Sequence, residues 1–180
     1  MTIPNLITTL RIILTPIFII YLLNDQFLAA LVVLCLCGIS DGLDGLFARW
    51  LNQKSTLGAY LDPIADKLIL VSAFVALSVR GALPPWLSVT VITRDVLILL
   101  GVLFMMLYQM EIIIRPSLVS KFTTCLQFVT VIGVLAAAYL EFPEGMFPVL
   151  FRVTGAFTII SGLHYIQTWF KMMGGREGRG

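Results

Sequence analysis

Six long apolar stretches, separated by short polar breaks, constrain this chain more than any other feature. They cover about 4–23, 27–49, 58–79, 85–108, 118–139 and 146–170. A helix needs about 20 apolar residues to cross the hydrocarbon of a bilayer, so each stretch is long enough. The breaks are Asn24-Asp25-Gln26, the polar run around Lys54, Arg80-Gly81, Gln109 to Pro116, and Glu141 to Gly145. Composition agrees: 59% of the 180 residues are hydrophobic and 12% are charged, the profile of a polytopic membrane protein. The expected fold is all-α and integral to the membrane. Six transmembrane helices form one domain over 1–171, and a Gly- and Arg-rich flexible cytoplasmic tail follows over 172–180.

The net charge of +2 is too small to suggest a nucleic-acid partner. No basic n-region precedes the first apolar run, so the first helix is expected to be retained and not cleaved as a signal. Cys35, Cys37 and Cys125 lie in apolar runs and read as free thiols. The cation distribution sets the orientation. Arg49, Lys54, Arg115, Lys121, Lys171, Arg176 and Arg179 fall on one side. Arg80 and Arg152 fall on the other, with Asp25, Glu141 and Glu144. Both termini and the loop around Lys54 are therefore expected in the cytoplasm. Arg11 is read as marking a first helix that begins along the interface.

Against this background one stretch stands out, SDGLDGLFARWLNQKSTLGAYLDPIADK, residues 40–67. It carries Asp41, Asp44, Asp62 and Asp66 at bilayer depth, where each carboxylate costs roughly 2.5–3.5 kcal/mol even on mild insertion scales. Such a cluster needs partners, a metal or a water-filled cavity. Asp41 and Asp44 are three apart and share a helix face; Gly58, Asp62 and Asp66 are four apart and share another. The two helices flank one short loop, so the carboxylate pairs are expected to oppose each other in a cavity open to the cytoplasm. An all-oxygen set of this kind suits Mg²⁺ or Mn²⁺. Two such ions could clamp a phosphate or diphosphate. Structural readings stay open beside this one. Asp62 before Pro63 is a good helix start, and the acids could pair with Arg49, Lys67 or Arg94. A metal-ion transporter or channel would also use intramembrane acids. It gives no reason for Arg49 and the spaced glycines.

The stretch resembles the signature of the CDP-alcohol phosphatidyltransferase family: D-x-x-D-G-x-x-A-R, eight or nine residues, then G-x-x-x-D-x-x-x-D. Here it reads Asp41, Asp44, Gly45, Ala48, Arg49, eight residues, Gly58, Asp62 and Asp66. The resemblance implies that Asp41, Asp44, Asp62 and Asp66 hold two Mg²⁺ or Mn²⁺ ions and that Asp66 is the catalytic base. Gly45, Arg49, Ser55 and Gly58 would bind the donor, CDP-diacylglycerol, with Asn5 near its nucleotide. It further implies a homodimer in the cytoplasmic (inner) membrane, transferring a phosphatidyl group to an alcohol with release of CMP.

Pro4-Asn5, Thr8 and Arg11, with Asp62-Pro63-Ile64-Ala65-Asp66-Lys67, resemble the glycerol-directed branch of that family. Glycerol 3-phosphate is placed ahead as acceptor, giving phosphatidylglycerophosphate. Phosphatidylglycerol, giving cardiolipin, is the alternative, favoured locally by Thr93-Arg94-Asp95 and by the run from Arg115 to Lys121. Either acceptor carries a phosphate, for which Arg94, Arg115 and Lys121 are candidates. Arg94 could instead pair with Asp95. His164 reads as a packing or interface residue. Trp50, Trp86 and Trp169 read as interfacial anchors, and Gly38 and Gly42 as a helix-contact pattern.

Overall fold

The computed structural model describes the backbone of residues 3–51, 56–107 and 118–174, and the side chains of 10–39, 67–101, 103 and 118–169. Among the described residues the chain is all helix: α1 (Ile3–Leu23), α2 (Phe27–Leu51), α3 (Thr56–Val79), α4 (Pro85–Leu107), α5 (Leu118–Ala136) and α6 (Met146–Gly174). α6 thus continues through Met172 and Met173, beyond the expected start of the tail. Residues Leu118–Ala136 and Met146–Trp169 are long and apolar enough to cross a membrane. The described parts of the first three helices add shorter apolar runs at Leu10–Leu23, Phe27–Ile39 and Lys67–Val79. Two compact units are distinguished within the chain. One is Met1–Leu83 with Val131–Pro143, the other Pro84–Thr130 with Glu144–Gly180.

In the first unit α1 packs against both α2 and α3. Each helix buries one stripe at steps of three and four residues. On α1 it is Leu22, Phe18, Thr15 and Arg11; on α2, Ala30, Leu34 and Cys37; on α3, Leu77, Ala73 and Leu70. One end of this unit is closed by Arg80. Its guanidinium donates to the Leu22 carbonyl at the end of α1 and to the Asp25 carboxylate in the following turn. It also lies 5.6 Å from the centre of the Phe27 ring at the start of α2. Tyr139 accepts a hydrogen bond from the Leu28 amide at 3.1 Å, satisfying one of the orphan donors of α2. The loops that carry Asp25, Arg80 and Tyr139 therefore meet at one end of the unit.

Both helices reaching this clamp stop in the same way. After α3, Gly81 takes φ 72°, and the amides of Ala82 and Gly81 donate back to the carbonyls of Leu77 and Ser78. After α1, Asp25 takes φ 60°, and the amides of Gln26 and Asp25 donate to Tyr21 and Leu22. These are Schellman closures with a left-handed residue just past the helix.

In the second unit α4 packs on α6. The Trp86 ring covers Gly155, Arg94 lies over Gly162, and the Trp169 ring covers Gly101. These pairs advance together along both helices, so α4 and α6 run parallel. A Cβ on Gly155 would stand 2.5 Å from Trp86 Cζ3, and one on Gly101 would fall within the Trp169 ring. Gly38, read from sequence as a contact glycine, has nothing within 4 Å of such a Cβ. α5 runs antiparallel to α6 along a polar seam. Thr130 and Thr154 share a hydrogen bond of 2.7 Å, Gln127 Nε2 donates to Thr158 Oγ1 at 3.2 Å, and Thr123 donates to the Phe157 carbonyl at 3.2 Å. All five of these polar side chains are fully buried. Hydroxyls and amides that satisfy one another are the usual adhesive between apolar helices, where the hydrophobic effect discriminates little.

Candidate active site

The signature residues fall on two helices of the first unit. Asp41, Asp44, Gly45 and Arg49 lie on α2; Gly58, Asp62 and Asp66 lie on α3. Because α3 begins at Thr56 and continues through Pro63, Asp62 is not a helix-starting residue. That removes the capping reading of the Asp62-Pro63 pair. Both aspartates of α3 sit in a continuous helix. Ser55 and Arg115 lie outside the described residues, and Asn5 lies in α1.

The Arg80 clamp fixes the register of these helices. Asp41 lies fourteen residues beyond Phe27, and Asp66 lies fourteen residues before Arg80, so each is about 21 Å from the clamp at the rise of an α-helix. Asp44 and Asp62 lie seventeen and eighteen residues away, about 25–27 Å. Counted along their own helices, the two pairs thus lie at similar distances from the clamp. Asn5, seventeen residues before Leu22 on α1, lies about 25 Å away by the same count.

The buried stripes lead to the same residues. Steps of four and three past Cys37 fall on Asp41 and Asp44. Steps of four before Leu70 fall on Asp66 and Asp62. On α1 the buried stripe turns from Leu22 and Phe18 to Thr15 and Arg11 as it runs away from the clamp. By residue type alone, four carboxylates are an all-oxygen donor set, the chemistry that suits Mg²⁺ or Mn²⁺. Among the residues whose side chains are described, no group of three His, Cys, Asp or Glu could hold a metal. The signature aspartates fall outside that set.

Arg94 takes the alternative left open by the sequence. It forms an ion pair with Asp95 at 2.6 Å, with the two side chains only 3% and 2% exposed. Its Nε and Nη2 donate to Ser161 Oγ at 3.3 and 3.0 Å, and Nη2 donates to Ser120 Oγ at 2.6 Å. The Tyr165 ring centre is 5.9 Å from the guanidinium carbon. Four donor contacts thus hold Arg94 to α4, α5 and α6. Ser120 and Ser161, which sequence reasoning did not single out, complete this network. Lys121, the neighbour of Ser120, is exposed. Arg11 is another departure. Instead of marking an interface it is 3% exposed, and its 4-3-4 spacing with Thr15, Phe18 and Leu22 was the available signal. His164 is exposed, and all three cysteines are free.

A chain that is all helix among its described residues, with D-x-x-D-G-x-x-A-R on α2 and G-x-x-x-D-x-x-x-D on α3, has the form of a membrane-associated enzyme. The CDP-alcohol phosphatidyltransferase family matches residues 1–171, and the chain belongs to that family. It is 32% identical over 173 residues to a rat protein named cardiolipin synthase (CMP-forming), covering 87% of this chain and 57% of the relative. It is 30% identical over 177 residues to the Aquifex aeolicus CDP-diacylglycerol–glycerol-3-phosphate 3-phosphatidyltransferase, covering 96% and 98%. A Streptomyces coelicolor cardiolipin synthase (CMP-forming) is 41% identical over 108 residues, covering 57% of this chain and 50% of the relative. The chain thus spans little more than half the length of the rat relative.

Proposed function

We propose that this protein transfers a phosphatidyl group from CDP-diacylglycerol to a hydroxyl of a glycerol-type acceptor, releasing CMP. The observation that carries the reading is the complete signature on α2 and α3, Asp41, Asp44, Gly45, Arg49, Gly58, Asp62 and Asp66, within a family match over residues 1–171. Membership of the family favours transfer over metal transport. All six helices, 19 to 29 residues long, cross the cytoplasmic membrane with both termini inside, and the chain works as a homodimer. The cation distribution supports the orientation.

Two Mg²⁺ or Mn²⁺ ions, held by Asp41, Asp44, Asp62 and Asp66, would offset charge on the donor diphosphate and on the departing CMP. Gly45, Arg49, Ser55 and Gly58 hold the cytidine diphosphate part of the donor, with Asn5 beside the nucleotide. Asp66 accepts the proton of the acceptor hydroxyl. The freed oxygen attacks the phosphorus bonded to diacylglycerol, that phosphorus loses its bond to CMP, and CMP leaves. Lys121 and Arg115 are the cations for the acceptor phosphate. Arg94, with four donor contacts inside the protein, contributes through the helix it holds.

Glycerol 3-phosphate is the leading acceptor, because the Aquifex relative and this chain match along almost their whole lengths. Phosphatidylglycerol is the second reading, favoured by the higher identity to the Streptomyces cardiolipin synthase. Radiolabelled CDP-diacylglycerol turnover by the purified chain, with Mn²⁺ or Mg²⁺ and each acceptor offered separately, distinguishes them. CMP release with one acceptor alone assigns it. No CMP release with glycerol 3-phosphate, phosphatidylglycerol, inositol or serine refutes the transferase reading. Within it, Asp66→Asn keeps donor binding and loses nearly all turnover; near-normal turnover would remove Asp66 as the base.

A further inference from the structure

Arg11 is buried on α1, and a buried guanidinium costs several kcal/mol unless an anion compensates it. The acids of the first unit are Asp25, Asp41, Asp44, Asp62, Asp66 and Glu141. Asp25 is engaged by Arg80 and lies fourteen residues from Arg11 along the chain, about 21 Å away at helical rise. Glu141 is exposed, two residues beyond Tyr139 at the same clamped end. Within this unit the signature aspartates are the acids that remain.

The register supports this. Arg11 is eleven residues before Leu22, about 16 Å from the clamp, and Asp41 and Asp66 are at about 21 Å, one helical turn further. Side chains on a helix lean toward its N-terminus, and the N-terminus of α1 is the end where the signature lies. A long Arg side chain closes a gap of about one turn in that direction. α1 packs on both signature helices.

We propose that Arg11 is a positioning residue for the donor. Its fixed positive charge balances the signature carboxylates and draws the diphosphate of CDP-diacylglycerol onto them. This rests on reading the four aspartates as a divalent-cation site. Four carboxylates and two divalent ions sum to zero. Arg11 leaves one positive charge to meet the incoming diphosphate. The same charge opposes cation binding before the donor arrives. Removing it should therefore move two affinities in opposite directions, which loss of a structural contact would not do.

The test uses the full chain in nanodiscs, with free Mn²⁺ followed by its paramagnetic resonance signal and no substrate present. Arg11→Met should bind Mn²⁺ more tightly and raise the KM for CDP-diacylglycerol, each by about tenfold for one lost charge near the site. Arg11→Lys, which keeps the charge, should stay within about twofold on both measures. Thermal unfolding of each variant confirms that it is folded. If a folded Arg11→Met binds Mn²⁺ more weakly, or if neither affinity changes, the proposal is overturned while the metal site stands. If the wild-type chain binds no Mn²⁺, or Asp41→Asn binds it as well as wild type does, the metal reading itself falls and Arg11 with it.

Discussion

Substituting Asp95 by alanine would leave Arg94 charged, 3% exposed, and facing, among the described residues, the hydroxyls of Ser120 and Ser161 and the Tyr165 ring. Removing one partner of a buried ion pair costs about 3–5 kcal/mol, because the other charge loses its compensation. Arg94→Met should cost a similar amount by taking the compensating charge of this pair from the buried Asp95 carboxylate. Replacing both, Arg94→Met with Asp95→Leu, removes both charges and fills the space with apolar atoms. The remaining loss is the two serine contacts, each about 0.6 kcal/mol between apolar helices. The double variant should thus cost about 1–2 kcal/mol, giving a coupling of at least about 4 kcal/mol in a double-mutant cycle. Reversible unfolding in mixed micelles, followed by tryptophan fluorescence, measures all four corners. Costs that simply add would refute the buried pair. The double variant also tests function. If Arg94 only holds α4, α5 and α6 together, turnover survives in a folded double variant. Loss of turnover with stability retained would place Arg94 in contact with substrate.

Gly101→Ala and Gly155→Ala each force a methyl into a tryptophan ring and should cost about 1–3 kcal/mol. Trp169→Leu should relieve the first in a thermal-unfolding series. Thr130→Val removes one hydrogen bond of the seam to Thr154 and should cost about 0.6 kcal/mol, at most about 1.7; a larger loss in the same assay would mean the seam acts as a connected network. Arg80→Leu gives up the ion pair with Asp25, which is 66% exposed and worth about 0.2–1 kcal/mol. It also loses the stacking on Phe27, another 0.5–1 kcal/mol or so. Its effect should be modest and seen first as faster amide exchange at the end of α1.

The spacing of apolar runs located every helix, because a segment that buries or faces apolar surroundings along its length carries its own record in its hydropathy. The turn residues marked the breaks for an equally local reason: Gly81 and Asp25 adopt left-handed backbone that few residues tolerate. The apolar run placed the third helix from about residue 58 but left open whether Asp62 and Asp66 sit inside it or at its start. Asp62-Pro63 is a good local start signal, yet the helix begins at Thr56.

By itself the sequence determined the six helices, the family signature, and the residue types any site must use. These depend on periodicity and composition, properties of neighbours along the chain. Tertiary structure alone decided what lies opposite what. Arg80 reaches across more than fifty residues to the end of α1. Arg94 takes its partners from three helices, and Arg11 is drawn inside. A long cation on an apolar helix reads the same in sequence whether it faces lipid headgroups, a neighbouring hydroxyl or a buried acid. The energy that chooses among these is the desolvation of its charge, and only packed helices set that.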